Sequence, residues 1–501
     1  MGETSPPVRD ARWLALGVLC IGMLMIILDQ TIVNVALPAI QRDLGFSQAG
    51  LAWVVNAYLI AFGGLLLLAG RLGDLVGGRR VFVAGLVVFT AASALCGLST
   101  NPQTLVAARF AQGAGGAMAS AVALGMVVKL FPEPLEQAKA IGVFSFVASG
   151  GASLGLLAGG VLTQALSWHW IFFVNLPIGI AAAVLALRLL DGDRGIGVGA
   201  GADVAGGVLV TAALMLGVYT IVETAHYGWG STHTVGFGAL AVVLLVAFLA
   251  RQRRAANPLL PLRIFRSRSV SGANLAQALT VAGLFGMFFL GALYLQRVLG
   301  YDAVQTGLAF LPIALAIGAF SLGFSARLTN RFGARAVLVP GLVSIVAGLL
   351  VLSRVPVDSR YAVDILPAML LLGVGGGLSI PALMTLAMSG ATPDDAGLAS
   401  GLVNTTQQVG GALGLAVLAT LSSSRTESLL AAGQPAAVAL TTGYRLAFGI
   451  GAVLVIGAIV VTATLLRPRR VATAAEPAAV AASTEPVGAA ETERAFAECP
   501  G

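Results

Sequence analysis

The sequence has little charge. Only 10% of its 501 residues are Asp, Glu, Lys or Arg, against roughly 25% in an ordinary soluble domain. A soluble protein of this composition would have to bury many separate helices of about 20 residues with almost no polar face, so that class is excluded. Cysteine is also scarce. Cys20, Cys96 and Cys499 are widely scattered and odd in number, so no disulfide or metal framework follows. No nucleophile–base set and no metal-ligand cluster appears, which argues against an enzyme and against any cofactor or metal. Lipid-attachment signals fail too. Pro6 stands where myristoylation after Gly2 needs Ser or Thr, and Cys499 is third from the end where prenylation needs the fourth.

What is present is apolar. Hydrophobic residues make up 57% of the chain, and the mean hydropathy is +0.92. Charges fall in short clusters between apolar runs long enough to cross about 30 Å of hydrocarbon. The runs are 12–37, 50–70, 81–99, 104–126, 139–162, 169–189, 203–222, 234–250, 271–295, 305–325, 335–353, 362–387, 400–422 and 444–466. The expected fold class is therefore an all-α polytopic membrane protein with fourteen transmembrane helices. The first run follows Arg9 and Arg12 like a leader peptide. It is long, contains Asp29 and is succeeded by many similar runs, so it reads as a spanning helix. Glu223, His226 and His233 crowd the connection between spans seven and eight.

The formal net charge of +7 is better explained by topology than by nucleic acid. With the N-terminus inside, twenty-two basic residues fall in cytoplasmic segments and six outside, with Arg109 within a span. This is the positive-inside bias. It places both termini in the cytoplasm and the chain in the cytoplasmic (inner) membrane. The basic segment 251–270 reads as a linker touching anionic lipid, and Pro258 and Pro261 argue against a continuous helix there. Residues 467–501 are rich in Ala, Glu, Thr and Pro and read as a disordered cytoplasmic tail.

A repeat is visible. GRLGDLVGGRRVF at 70–82 and ARLTNRFGARAVL at 326–338 are Gly- and Arg-bearing turns that each follow an apolar helix, eight spans apart. The spacing fits two six-helix bundles, 12–189 and 271–466, with an inserted helix pair in 190–250 between them; two related halves are a common transporter plan. Residues 1–11 are then a short cytoplasmic N-terminus.

Four constellations carry chemistry. Asp29 lies about 17 residues into span one, roughly 25 Å along a helix. Arg109 lies near the start of span four, which runs the other way, so the two share a depth. A charge at a helix centre costs about 2.5–3.5 kcal/mol on insertion scales. Asp29 and Arg109 are thus a proton-carrying carboxylate with a cation that tunes it, a salt bridge locking two helices, or both. Asp74, flanked by Arg71, Arg79 and Arg80 and by Gly70 and Gly77, is a charge network able to latch one conformation, or simply a topology anchor. Gly151, Gly155, Gly159 and Gly160 give span five a small-residue face for close helix contact. Asn34, Asn56, Gln112, Asn274, Gln277, Asn404, Gln407 and Gln408 are polar residues expected to face the bundle interior, with Tyr294 among the aromatic wall candidates of a substrate cavity.

Several motifs in order carry a resemblance. LDQTIVNVALP at 28–38, GRLGDLVGGRR at 70–80, LVAARFAQGAGGA at 105–117, WHWIFFVNLPIG at 168–179 and ASGLVNTTQQVGGALG at 399–414 resemble the major facilitator superfamily in its fourteen-helix drug:proton antiporter branch. The resemblance covers residues 12 to about 466. It implies the major facilitator fold and alternating access driven by protons. It also implies export of a small organic compound such as a drug, antibiotic or toxic metabolite. In that reading Asp29 and Arg109 couple protons and Asp74 controls conformation. The partners expected are the organic substrate, protons and the lipid bilayer, with no nucleic acid. Two positions depart from the pattern: Leu156 follows Gly155 where the antiporter motif usually has proline, and His169 stands where arginine is usual. Transport of another small solute, such as an amino acid or siderophore, and a non-transporting membrane sensor are the alternatives.

Overall fold

A computed structural model describes residues 8–466 apart from 48, 191, 193–194, 196, 198–201 and 390–395. The expected tail, 467–501, lies outside the described residues. Sixteen α-helices are present among those described: α1 Val8–Leu44, α2 Trp53–Val76, α3 Gly78–Gly97, α4 Pro102–Leu130, α5 Pro134–Ala165, α6 Trp170–Phe173, α7 Asn175–Leu189, α8 Val204–Tyr227, α9 Thr232–Arg254, α10 Arg268–Arg297, α11 Ala303–Ala319, α12 Ala326–Phe332, α13 Ala334–Leu352, α14 Leu366–Ser389, α15 Ala396–Ala431 and α16 Ala436–Leu465. Helix is the form in which each apolar run closes its own backbone hydrogen bonds without water. Side chains close several exposed N-termini: Asn101, Asp203, Ser231, Ser267 and Asp302 each accept from a backbone N–H in the first turn.

Every expected run is helical, but its edges and continuity differ. The first helix continues through Pro38 to Leu44; proline removes one hydrogen bond without ending the helix. The run 169–189 is divided at Val174 into α6 and α7, because Pro177 has no N–H to offer the carbonyl one turn earlier. Below α11 a π-helical turn, Phe320–Ser325, leads into α12. Between α9 and α10 the chain leaves the helix, with a short 3-10 turn over Leu262–Arg266. The two repeated turns share one backbone device. Gly77 ends α2 with φ 102° and Gly333 ends α12 with φ 87°, a left-handed conformation that favours glycine.

Twelve helical segments among the described residues are long and apolar enough to cross a membrane, where fourteen were expected. The two not among them, α5 and α15, are helices of 32 and 36 residues. The result is an all-α, multi-pass membrane architecture. α1 packs on α5 and α7, α2 and α3 pack on α4, α10 packs on α15 and α16, and α13 packs on α14. α8 touches both α2 and α15, and α9 packs on α8. Val235, Leu240, Val242, Val243 and Val246 of α9 are exposed, as suits a helix facing lipid.

Glycine sets the closest approaches. A Cβ on Gly159 would lie 2.6 Å from the Ile32 carbonyl oxygen, and one on Gly155 would lie 2.9 Å from that of Leu28. Gly151 faces Leu24, so the three glycines seat α5 on α1 at successive turns; Gly160 instead meets the start of α11 at Ala303. On α4, a Cβ on Gly113 would strike the Tyr58 carbonyl and lie 3.0 Å from the Tyr58 Cα. Backbone cannot yield there as a flexible side chain would. Gly113→Ala should destabilise the protein by about 1–3 kcal/mol, read as a lower unfolding temperature in detergent. Gly125→Ala, on the same helix with nothing within 4 Å, should not.

The α8–α9 pair is clasped at one end. Asp203 accepts from Arg251 Nε at 2.5 Å, from Gln252 Nε2 at 2.7 Å and from the Gly206 N–H at 2.9 Å. Gln252 Oε1 in turn accepts from the Leu260 N–H, tying the 255–267 linker to the pair. Burial opposes ionisation of Asp203, but these hydrogen bonds outweigh it and hold the carboxyl below its usual range. A lowered folded value means the clasp is fully stabilising above the unfolded value of about 3.9 and fails as pH falls through the folded one. Hydrogen exchange of the linker, corrected for intrinsic rates, should be flat from neutral pH to about 5 and rise below about 3.9. A rise beginning near neutrality would contradict the clasp.

Candidate functional site

The site is built where four helices meet around Asp29. Asp29 is 0% exposed and Arg109 only 1%, so neither charge is relieved by solvent. α4 runs opposite to α1 and presents Arg109 to it, and the Arg109 Nη1 donates to Asp29 Oδ2 at 2.5 Å. Gln112, three residues on, shares the helical face. Its Nε2 donates to Asp29 Oδ1 at 2.8 Å, while its Oε1 accepts from Arg109 Nη1 at 2.7 Å. Asn175, the first residue of α7, donates from Nδ2 to Asp29 Oδ1 at 3.0 Å. Ser93 of α3 accepts from Gln112 at 2.6 Å and from Asn175 at 3.4 Å.

Arg109 is held on its other side as well. Its Nε donates to the Val54 carbonyl at 2.9 Å, and its guanidinium lies 4.4 Å from the centre of the Tyr58 ring and 5.8 Å from that of Phe172. The ring face favours a desolvated cation by up to about 2 kcal/mol. Gly113 brings α2 close enough for this stacking. Gln30 Nε2 reaches the Tyr58 hydroxyl at 3.5 Å, and Cys96 Sγ donates to Gln112 Oε1 at 3.6 Å.

The chemistry of this arrangement is one-sided. All three side chains bonded to Asp29 donate to it. An ionised carboxylate fits them; a proton on Oδ1, which already accepts from Gln112 and Asn175, would set an O–H against a donor and displace one.

The other expected residues distribute unevenly. Gln112, expected at a substrate cavity, is consumed by the buried cluster. Tyr294 is 2% exposed, and its hydroxyl bonds the Pro356 carbonyl and Ser359 Oγ at 2.7 and 2.6 Å, so it pins the end of α10. Asn274 donates to the Val270 carbonyl and accepts from Thr406, which commits it to the α10–α15 contact. Asn34 bonds carbonyls of its own helix and is half-buried; Asn404 does the same and is exposed. Gln407 is half-buried. Asn56, Gln277 and Gln408 are buried and keep side-chain atoms without a hydrogen-bond partner.

At the opposite end of α2, Asp74 is exposed and forms no ion pair among the described residues. Arg79 reaches the Leu187 carbonyl at 2.6 Å, Arg80 is exposed, and Gly70 has open space around it. The expected Asp74 network is thus not assembled in this state. Ser93, Asn175 and the Val54 carbonyl were missed as site groups. Asn175 lay in plain view within the apolar WHWIFFVNLPIG stretch, where a lone amide is costly to bury; Ser93 and a carbonyl leave no comparable signal.

The sequence profile of the Major Facilitator Superfamily matches residues 19–415. Among curated proteins, the puromycin resistance protein of Streptomyces alboniger is 41% identical over 91% of this chain and 90% of its own. The cephamycin export protein of Amycolatopsis lactamdurans is 41% identical over 85% of this chain and 87% of its own. The tetracenomycin C resistance and export protein of Streptomyces glaucescens is 36% identical over 83% and 77%. Among solved structures, an inward-facing, unoccupied bacterial homologue of the lysosomal transporter Spinster superposes with a TM-score of 0.65 at 16% identity, covering 92% of this chain and 98% of its own. That likeness concerns the fold alone.

The buried pair can be tested without transport. Removing one partner from a buried pair leaves an uncompensated charge and costs about 3–5 kcal/mol. Asp29→Asn and Arg109→Gln should each lower the unfolding temperature sharply. The double substitution should recover most of the loss, because no net charge then remains buried. Additive losses in the double variant would show that the two residues act independently.

Proposed function

The chain belongs to the Major Facilitator Superfamily, and from that premise we propose that it exports a small hydrophobic or amphipathic organic compound in exchange for protons, by alternating access. It is a secondary active transporter and not an enzyme. The observation that carries this reading is the enclosed Asp29–Arg109–Gln112–Asn175 cluster, in which a proton on Asp29 Oδ1 changes the bonding between α1 and the helices that donate to it. The relatives with printed functions are resistance and export proteins for puromycin, cephamycin and tetracenomycin C, which supports an antibiotic-like organic substrate for this chain.

In this reading the bundle has fourteen crossings, counting α5 and α15 with the twelve segments. α1–α7 form one six-helix half, α10–α16 the other, and α8–α9 the inserted pair. The basic residues place both termini in the cytoplasm and the protein in the cytoplasmic membrane. The end of α1 near Leu44 is then external, and it is the closed end. Gln296 of α10 donates to the Val35 carbonyl at 2.8 Å. Gln164 of α5 donates to Asp302 and accepts from the Val304 N–H, each at 3.3 Å. These contacts join the halves at the external end. In another conformation Asp74 would pair with Arg80 and with Arg79 as a cytoplasmic latch beside Gly70 and Gly77, Arg79 giving up its bond to the Leu187 carbonyl. Asn34 and Asn404, bonded only within their own helices, and half-buried Gln407 are the polar groups assigned to meet a substrate.

Protonation of Asp29 weakens its hold on Arg109, and loss of the proton restores it. Reconstituted protein with an imposed pH gradient, supplied with a panel of amphipathic antibiotics, should exchange compound for protons. Asp29→Asn should abolish gradient-driven export in protein that still folds. Export that ignores the gradient, or survives Asp29→Asn, rejects the coupling role.

A further inference from the structure

A proton on Asp29 needs an acceptor, and no side chain now bonded to Asp29 offers it one. Gln112 is fully engaged: its Nε2 serves Asp29 and Ser93, and its Oε1 takes bonds from Arg109 and Cys96. Arg109 has no acceptor to offer. Asn175 is different. Its Nδ2 donates to Asp29, but its Oδ1 is buried with no partner, although the residue is fully buried. Buried amide oxygens are rarely left idle.

We propose that Asn175 is the positioning residue that reads the protonation state of Asp29. With Asp29 ionised, Asn175 donates from Nδ2 to Oδ1 of the carboxylate. When a proton arrives on that oxygen, the amide turns over about its Cβ–Cγ–side axis, and Asn175 Oδ1 accepts the new O–H. Toward Asp29 one N–H···O bond is exchanged for one O–H···O bond; the longer bond from Nδ2 to Ser93 Oγ at 3.4 Å is given up, and the Ser93 hydroxyl can donate to the turned Oδ1 instead. The number of bonds between Asp29 and Asn175 is the same before and after. Neither protonation state is therefore stranded, as a coupling carboxylate that must both load and release its proton requires. Because Asn175 opens α7 next to the Val174 joint, the turnover is made where the helix is already broken. This inference rests on Asp29 being the coupling carboxylate.

The groups that face Asp29 from its surroundings are few. Arg109 on α4 is the charged one, and Tyr58 on α2 and Cys96 on α3 are the titratable ones. At this depth α5, α6 and α7 present no charged or titratable group among the described residues.

The sign of a pH shift separates this role from a simple structural one. If Asn175 only donates to the carboxylate, Asn175→Leu removes support from the ionised form and moves the pH midpoint of export to higher pH. If Asn175 also accepts the O–H, the same change strands a buried hydroxyl, while the ionised form keeps two of its three donors. An unmade buried bond costs more than one donor among several, so the midpoint should move to lower pH, by about tenfold in proton concentration. A midpoint that is unchanged or moves to higher pH overturns the proposal. A second measurement needs no variant at position 175. In protein carrying 13C-labelled asparagine, infrared difference spectra across the Asp29 titration should show an asparagine carbonyl band shifting together with the carboxylic acid band. Both should vanish in Asp29→Asn. A carboxylic acid band without the asparagine shift overturns the proposal even if Asn175→Leu fails to fold. Gradient-driven export that persists in Asp29→Asn would instead remove the coupling reading on which the proposal stands.

Discussion

The ion pair between Asp29 and Arg109 is the constraint around which the first six spans are arranged. Two opposite charges at the depth of hydrocarbon are tolerable only if each is saturated, since the loss of one partner leaves several kcal/mol uncompensated. Saturating them takes α1 for the carboxylate, α2 for the Val54 carbonyl and the Tyr58 ring, α3 for Ser93, α4 for Arg109 and Gln112, and α7 for Asn175. Five helices are thereby fixed in register by one polar cluster. The glycines follow from the same demand: Gly113 lets α2 lie against α4, and Gly151, Gly155 and Gly159 let α5 close over α1.

Much of the architecture was legible in the sequence because its cause is local. Every apolar run became a helix, since lipid offers the backbone no other partner. The two Gly–Arg turns carry the same left-handed glycine, Gly77 and Gly333, a repeat that residue types alone made only faint. What sequence could not place were features set by neighbours. The passage of α1 through Pro38 and the π-helical turn after α11 each depend on packing that holds a helix together where its own hydrogen bonds are interrupted.

The site was legible in part for a related reason. Asp29 and Arg109 stand out because a charge within an apolar run needs an explanation, and antiparallel spans give them a common depth. Their contact followed from counting residues along two helices. A neutral amide in an apolar run also stands out, but nothing in the sequence says which neighbour it meets. Gln112, Asn274 and Tyr294 look alike in sequence as polar or amphipathic groups within spans. Only three-dimensional placement separates the first into the ion-pair cluster, the second into a helix contact with Thr406 and the third into an anchor on Pro356. Leu156, where the resemblance implies proline, is 3% exposed, and its carbonyl is approached by Gly307 of α11, where a Cβ would lie 2.6 Å away. The tight fit between α5 and α11 is therefore carried by glycine on the partner helix.

The contrast between the two kinds of contact bears on how such a bundle can move. The Asp29 cluster is densely bonded, and in the proposed function a proton is what rearranges it. The contact of α2 with α15 and α8 is built differently. Gly63 meets Gln408, Gly401 meets Leu67, Gly64 meets Thr211 and Gly207 meets Leu68. No ion pair is present there among the described residues. Asn56 on α2 and Thr405 and Gln408 on α15 keep buried polar atoms without partners. Such an interface is close but weakly committed. Sliding it breaks few directional bonds, and opening it relieves polar groups that are unsatisfied when it is shut. A bundle with one strongly bonded proton-sensitive junction and one loosely bonded seam has its switch and its hinge in different places. A change at Asp29 can then be expressed as motion along α2 without dismantling either half.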